Sequence, residues 1–212
     1  MTELTAIDIL VNPDDATIKR AKEVNERLRK SVPAGYALDA SHQPHITTLQ
    51  RYVRTADLDH VFAAVEHTLS ATDVATLDYQ VEGIHHVDWN TPGQGYAVFL
   101  VTPSSEVLAF QAALLSVVET YTESGGTAAA FFTDDADPDI NETTLAWVDH
   151  FVPDQIGQKY QPHISLGFGK IEDLAIIEAE RFDAFAVNPV SFAVYQLGNN
   201  GNARKLLHQW NA

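Results

Sequence analysis

Gln43-Pro44-His45-Ile46-Thr47 and Gln161-Pro162-His163-Ile164-Ser165 are one five-residue phrase written twice, with Ser replacing Thr at the end. Each continues into apolar residues, Leu49 in the first case, Leu166 and Phe168 in the second. Each therefore reads as a strand that starts near a proline, where a lost ladder hydrogen bond is tolerated. Moving outward, Leu10-Val11-Asn12-Pro13 recurs as Leu100-Val101-Thr102-Pro103, and each closes an apolar run, Ile7 to Val11 and Tyr96 to Val101, that also reads as a strand. Asn12 and Thr102 are suited to cap a following helix, with Pro13 and Pro103 at its first position. Ile18, Ala21, Val24 and Leu28 form an apolar stripe on the first such helix, and Val107, Phe110, Leu114 and Val118 on the second. A further helix follows each histidine phrase, from Asp57 to Leu69 and from Asp173 to Glu180. Strands are expected through Leu77 to Val87, Phe182 to Val187 and Ser191 to Leu197. The order β-α-β-α-β thus appears twice. It predicts a single two-lobed domain over residues 1–212, with lobes at about 1–92 and 93–212.

The halves differ mainly by an acidic segment at 121–160, in which Gly125, Gly126 and a run of aspartates mark loop, with a short helix at Glu142 to His150. Of the two readings for an insertion beside a site, lid or solvated excursion, lid is the one favoured. A calcium loop starting at Asp135 fails, because Ile140 stands where the tight turn needs Gly, and Ala146 where a bidentate Glu is required.

The chain of 212 residues has no cysteine, which rules out disulfides, thiolate nucleophiles and sulfur-ligated zinc. Its net charge is −16, and no Lys or Arg occurs between Arg54 and Lys159. Affinity for a long nucleic acid comes from cations neutralising phosphates, so that partner is disfavoured, while a small anion in a local pocket is not. No stretch has the length of a membrane span and the amino terminus lacks a signal pattern, so a cytoplasmic protein is expected.

In a strand alternate residues share a face, which puts His45 beside Thr47 and His163 beside Ser165, each pair roughly 6–7 Å apart along the chain. Equivalent strands that meet across a pseudo-two-fold axis bring two imidazoles and two hydroxyls around one cleft. Such a site suits displacement at phosphorus: one His takes a proton from the attacking oxygen, and the other protonates the leaving oxygen. The hydroxyls stabilise charge on the non-bridging oxygens. Of nine histidines only these two carry Ser or Thr two residues on. A His-and-hydroxyl pair is also a poor choice for packing alone, since buried polar groups need partners.

These two H-x-[ST]-x motifs, His45-Ile46-Thr47-Thr48 and His163-Ile164-Ser165-Leu166, resemble the signature of the two-histidine phosphoesterase superfamily, the RNA ligase-like and cyclic nucleotide phosphodiesterase group. The resemblance spans nearly the whole chain. It implies a bilobal α+β fold with mainly antiparallel sheets lining a central cleft. It further implies hydrolysis of 2′,3′-cyclic phosphates or 2′-linked phosphodiesters without cofactor or metal, and His45, His163, Thr47 and Ser165 as the catalytic set. The long insertion and the acidic balance depart from the RNA-handling members. The expected partner is a small nucleotide or short oligonucleotide, and the expected state a monomer. Ligation of cyclic RNA ends, or nucleotide binding without turnover, are the alternative readings.

Arg51 and Arg54 follow the first motif, Lys159 and Lys170 bracket the second, and Arg51 in particular is a candidate for the phosphate. Tyr36, Trp89, Tyr160 and Phe168 are candidates for stacking on a base. His85 and His86 are adjacent and read as structural.

Overall fold

The computed structural model describes residues 2–89, 91–135 and 137–212. In chain order the elements are β1 (Leu4–Pro13), α1 (Asp15–Ser31), β2 (Ile46–Arg54), α2 (Leu58–Ser70), β3 (Tyr79–Asp88), β4 (Gln94–Pro103), α3 (Ser105–Val118), α4 (Glu142–Gln155), β5 (His163–Lys170), α5 (Ile171–Ala179), β6 (Phe185–Val187), β7 (Pro189–Leu197) and β8 (Ala203–Asn211). Helices α1 and α3 start two residues later than the Asn-Pro and Thr-Pro pairs predict. Asp14 and Ser104 are the caps, accepting from the backbone N–H of Thr17 and Val107, while Pro13 and Pro103 end their strands. A side-chain oxygen that reaches the N–H three residues on satisfies a donor the helix cannot, and Asn12 and Thr102 lie too far back to do so.

The described strands form two antiparallel four-stranded sheets, ordered β2-β1-β7-β8 and β5-β4-β3-β6. The predicted boundary near residue 92 does not divide them. β3 leaves the first half to pair with β4, and β7 leaves the second to pair with β1. The first sheet takes β7 and β8 from the second half, and the second takes β3 from the first, whose antiparallel pairing with β4 needs only a short turn. The edge strand β8 escapes sequence reading. Its mixed sequence Ala-Arg-Lys-Leu-Leu-His-Gln-Trp-Asn has no clean alternation, as expected of an edge kept soluble by charge.

Apolar residues of both sheets and of α1, α2, α3 and α5 form one core that includes Ile7, Ile9, Leu28, Leu49, Val65, Phe99, Leu114, Ile164 and Phe192. α1 packs across β5, α2 against α3, and α4 against β2. A smaller cluster joins Phe131 and Val148 of the insertion to Ala6, Tyr52 and Leu197. There Tyr52 donates to the Leu145 carbonyl at 3.1 Å, and a Cβ on Gly126 would stand 2.3 Å from its ring. The insertion is therefore docked on the first sheet by its own apolar contacts. His85 and His86 both reach Glu178 of α5, at 2.8 and 2.5 Å, and tie that helix to β3. Among the described residues no helix is long and apolar enough to cross a membrane.

Candidate active site

β2 and β5 are the strands that carry the two histidine phrases, and each breaks its register at the same place. Against β1, Leu49 pairs with Ile9 and Thr47 with Leu10, leaving Thr48 as an extra residue. Against β4, Gly167 pairs with Ala97 and Ser165 with Val98, leaving Leu166 extra. A bulge reverses the alternation that follows it. Gln50 and Phe168 thus join the face of Thr47 and Ser165, and Arg51, which strict alternation puts beside His45, turns away.

Both bulges are held from beneath by a buried amide. Gln111 of α3 donates to the Thr48 carbonyl at 3.0 Å, and Asn25 of α1 donates to the Leu166 carbonyl at 2.8 Å. Each helix comes from the half of the chain that does not contain the bulge it supports. The same amides anchor the surroundings. Asn25 bonds the Tyr36 carbonyl and the Leu38 N–H, while Gln111 bonds the Gln155 carbonyl and the Gly157 N–H. Gly167 has φ +123°, and a Cβ there would lie 2.8 Å from the Asn25 amide nitrogen, so the second bulge requires glycine.

His45, Thr47, His163 and Ser165 line one cavity of about 690 Å³. The two imidazoles are oriented alike. His45 Nδ1 lies 2.7 Å from the Gln43 carbonyl and His163 Nδ1 lies 3.0 Å from the Gln161 carbonyl. A carbonyl only accepts, so each Nδ1 carries the hydrogen and each Nε2 is left to exchange protons. Burial lowers both histidine pKa values, opposed by these carbonyl bonds, and the charge of His163 lowers that of His45 further. The rings are thus electrostatically coupled across the cleft.

The hydroxyls have unlike supports. Thr47 Oγ1 is hydrogen-bonded to Asp8 Oδ2 at 2.8 Å, and Asp8 is wholly buried on β1. Ser165 instead meets the Tyr96 hydroxyl, whose pKa burial pushes up while the Ser165 and Tyr36 hydrogen bonds pull it back. Tyr36 donates to Tyr96 at 3.2 Å.

Of the remaining sequence candidates, Tyr36, Phe168 and Trp89 line the cavity as an aromatic wall. His42 stacks on Tyr36 at 4.6 Å, and Trp89 lies 5.1 Å from Phe168. Tyr160 also reaches the lining but is 7% exposed, and its hydroxyl donates to the Thr47 carbonyl at 2.6 Å. That contact holds the motif strand. Arg51 bonds Thr122 at 2.6 Å and Glu119 at 3.2 Å and does not line the cavity. Arg54, Lys159 and Lys170 do not line it either. Sequence reasoning missed Gln50, Arg204 and Trp147. Arg204 comes from β8 and is ion-paired with Asp134, while Trp147 of α4 is brought over the cleft by the docked insertion. Only the bulge could have revealed Gln50, and nothing local marks the other two. Among the described residues no group of three or more His, Asp or Glu side chains is gathered for a metal ion.

No family model matches the sequence, and no curated protein matches it. Solved structures do. TT0787 of Thermus thermophilus superposes with TM-score 0.54 at 16% identity, covering 98% of this chain and 97% of that one. Usb1 of Kluyveromyces marxianus with uridine monophosphate gives TM-score 0.51 at 9% identity, covering 98% and 99%. E. coli LigT complexed with 3′-AMP gives 0.46 at 14%, covering 99% and 98%. With two antiparallel sheets and a histidine-hydroxyl strand from each lining one cavity, the chain shares the fold of TT0787 and Usb1.

Proposed function

We propose that the chain is a phosphodiesterase that hydrolyses a 2′,3′-cyclic phosphate, or a related 2′-linked phosphodiester, of a nucleotide or short oligonucleotide, without a metal. The observation that carries this reading is the matched pair of imidazoles, each with Nδ1–H tied to the carbonyl two residues before it, on one cavity. One Nε2 accepts a proton from water as its oxygen bonds to phosphorus. The other Nε2, protonated, donates to the ribose oxygen as the P–O bond breaks. The products are a phosphomonoester and a free hydroxyl, with one water consumed. Thr47 and Ser165 face the phosphate and stabilise its developing charge.

A small substrate fits the site better than a polyanion. Among the described residues Arg204 is the single Lys or Arg on the cavity lining, and Asp134 already neutralises it. The volume is in the range of small-molecule sites. Usb1, which shares the fold, is described with uridine monophosphate, a nucleotide of that scale. The test offers a panel of nucleoside 2′,3′-cyclic phosphates, in excess chelator, to the wild type and to His45→Ala and His163→Ala. The wild type should turn over, and each variant should lose about 10²- to 10⁴-fold. Activity that survives either substitution, or that vanishes with chelator, refutes the mechanism.

A further inference from the structure

Asp8 is a buried acid with no Lys or Arg paired to it among the described residues. Its side chain has no solvent exposure, and Oδ2 meets Thr47 Oγ1 at 2.8 Å and Gln50 Nε2 at 3.0 Å. Oδ1 is buried without a hydrogen-bond partner among the described residues. From β2, His45 Nε2 lies 3.8 Å from Oδ2; from β7, Tyr195 is its register partner; and Tyr160, bonded to the Thr47 carbonyl, is close enough for the two charges to interact. An unpartnered carboxylate oxygen in such a place is costly, whereas an unpartnered neutral carbonyl oxygen costs far less.

The proton's position decides what Thr47 can do. Against a carboxylate, the Thr47 hydrogen must point inward to Oδ2, which leaves only oxygen lone pairs for an anionic phosphate. Against a carboxylic acid, Oδ2–H donates to Thr47 Oγ1, and the Thr47 hydrogen is free to enter the cleft.

We propose that Asp8 is a positioning residue that works as the neutral acid, donating to the Thr47 hydroxyl so that Thr47 in turn donates to a phosphate oxygen of the substrate. Burial, opposed by the bonds from Gln50 and Thr47, raises its pKa to about 7, so the group titrates across the neutral range. A protonated His45 at 3.8 Å favours the carboxylate, so the two titrations are linked. The device belongs to one half only. Val98 stands two residues before Leu100, as Asp8 stands two before Leu10, and there the Tyr96 hydroxyl supports Ser165 instead. The inference rests on the reading of Thr47 as a phosphate donor.

Asp8→Asn fixes the donor. Its amide nitrogen offers one hydrogen to Thr47 and the other to Gln50 once the Gln50 amide turns over, and the Gln50 Oε1 that this brings round is otherwise unpartnered among the described residues. Sulfate keeps its charge from pH 5.5 to 8.5, so its affinity, measured by calorimetry, reports the cleft without turnover. Relative to Asp8→Asn, the wild type should match at pH 5.5 and bind about tenfold more weakly at pH 8.5, the scale of one hydrogen bond to a charged group. Adding Thr47→Val to both should erase the difference. With an active cyclic phosphate, the ratio of kcat/KM at pH 8.5 to that at pH 6 should rise about tenfold in Asp8→Asn. Asp8→Ala should lose activity that Asp8→Asn recovers. Superimposable pH profiles, or an Asp8→Asn variant as inert at pH 6 as Asp8→Ala, overturn the proposal. If no cyclic phosphate is turned over, the phosphodiesterase reading fails while the sulfate comparison still decides the role of Asp8.

Discussion

The burial of Asp8 has a consequence for stability that can be measured without any substrate. Its pKa is about 7 in the folded chain against an ordinary value of 3.8, a difference of about 3 units. One unit corresponds to 1.36 kcal/mol, so the whole shift is worth about 4 kcal/mol as an upper figure. The folded state binds the proton more tightly than the unfolded one. The contribution is therefore fully present below pH 4, declines through the interval from 4 to 7, and is gone above it. Asn carries no such proton. Unfolding free energies from denaturant titrations of wild type and Asp8→Asn, taken at half-unit steps from pH 4.5 to 8.5, should diverge in favour of the variant by several kcal/mol and then run parallel. Both proteins contain the same histidines, whose lowered pKa values give the opposite trend, so subtraction leaves the titration of Asp8 together with its coupling to His45. In a chain of this size each kcal/mol moves Tm by about 2–4 °C, so thermal scans should separate the pair by about 10 °C at pH 8. A difference that does not change with pH would mean that Asp8 is ionised throughout. It would refute the argument that the pocket beneath Thr47 excludes charge.

Other expectations concern the supports of the two motifs. Asn25→Ala and Gln111→Ala each strand a buried bulge carbonyl, and should cost about 1–3 kcal/mol in denaturant titrations together with a loss of kcat larger than any rise in KM. Gly167→Ala should destabilise as well, since its φ of +123° and the nearby Asn25 amide both oppose a side chain, and an Asn25→Ala background should recover part of the loss. Arg51→Ala should leave kcat/KM within about twofold, because its guanidinium bonds Thr122 and Glu119 and does not line the cavity. Burial lowers the pKa of both histidines, so the acid limb of the kcat/KM profile should lie below the ordinary histidine value of 6.5. Their contribution to stability is present above that value and is lost as pH falls through the folded pKa values, which acid unfolding of the wild type against the double His→Ala variant would reveal.

Sequence determined the parts that depend on neighbours a few residues away. Apolar periodicity located seven of the eight strands and all five helices of the described chain, and the repeated phrase singled out His45, Thr47, His163 and Ser165 before any fold was known. A repeated polar motif is legible because it recurs in a fixed frame, whatever surrounds it. The tertiary structure decided which half supplies which strand, since β7 crosses to pair with β1 in the other half through a pairing that no local pattern encodes. It also decided the faces beyond each motif. A single extra residue at Thr48 and at Leu166 reverses the alternation, and those bulges exist because Gln111 and Asn25, 63 and 141 residues away in sequence, satisfy their carbonyls. The same break turns Arg51 off the face of His45 and brings Gln50 onto it, while Arg204 and the acid beneath Thr47 reach the site from other strands. Periodicity carries the average pleat of a strand, and a break in that pleat is stabilised only by groups that folding brings from elsewhere.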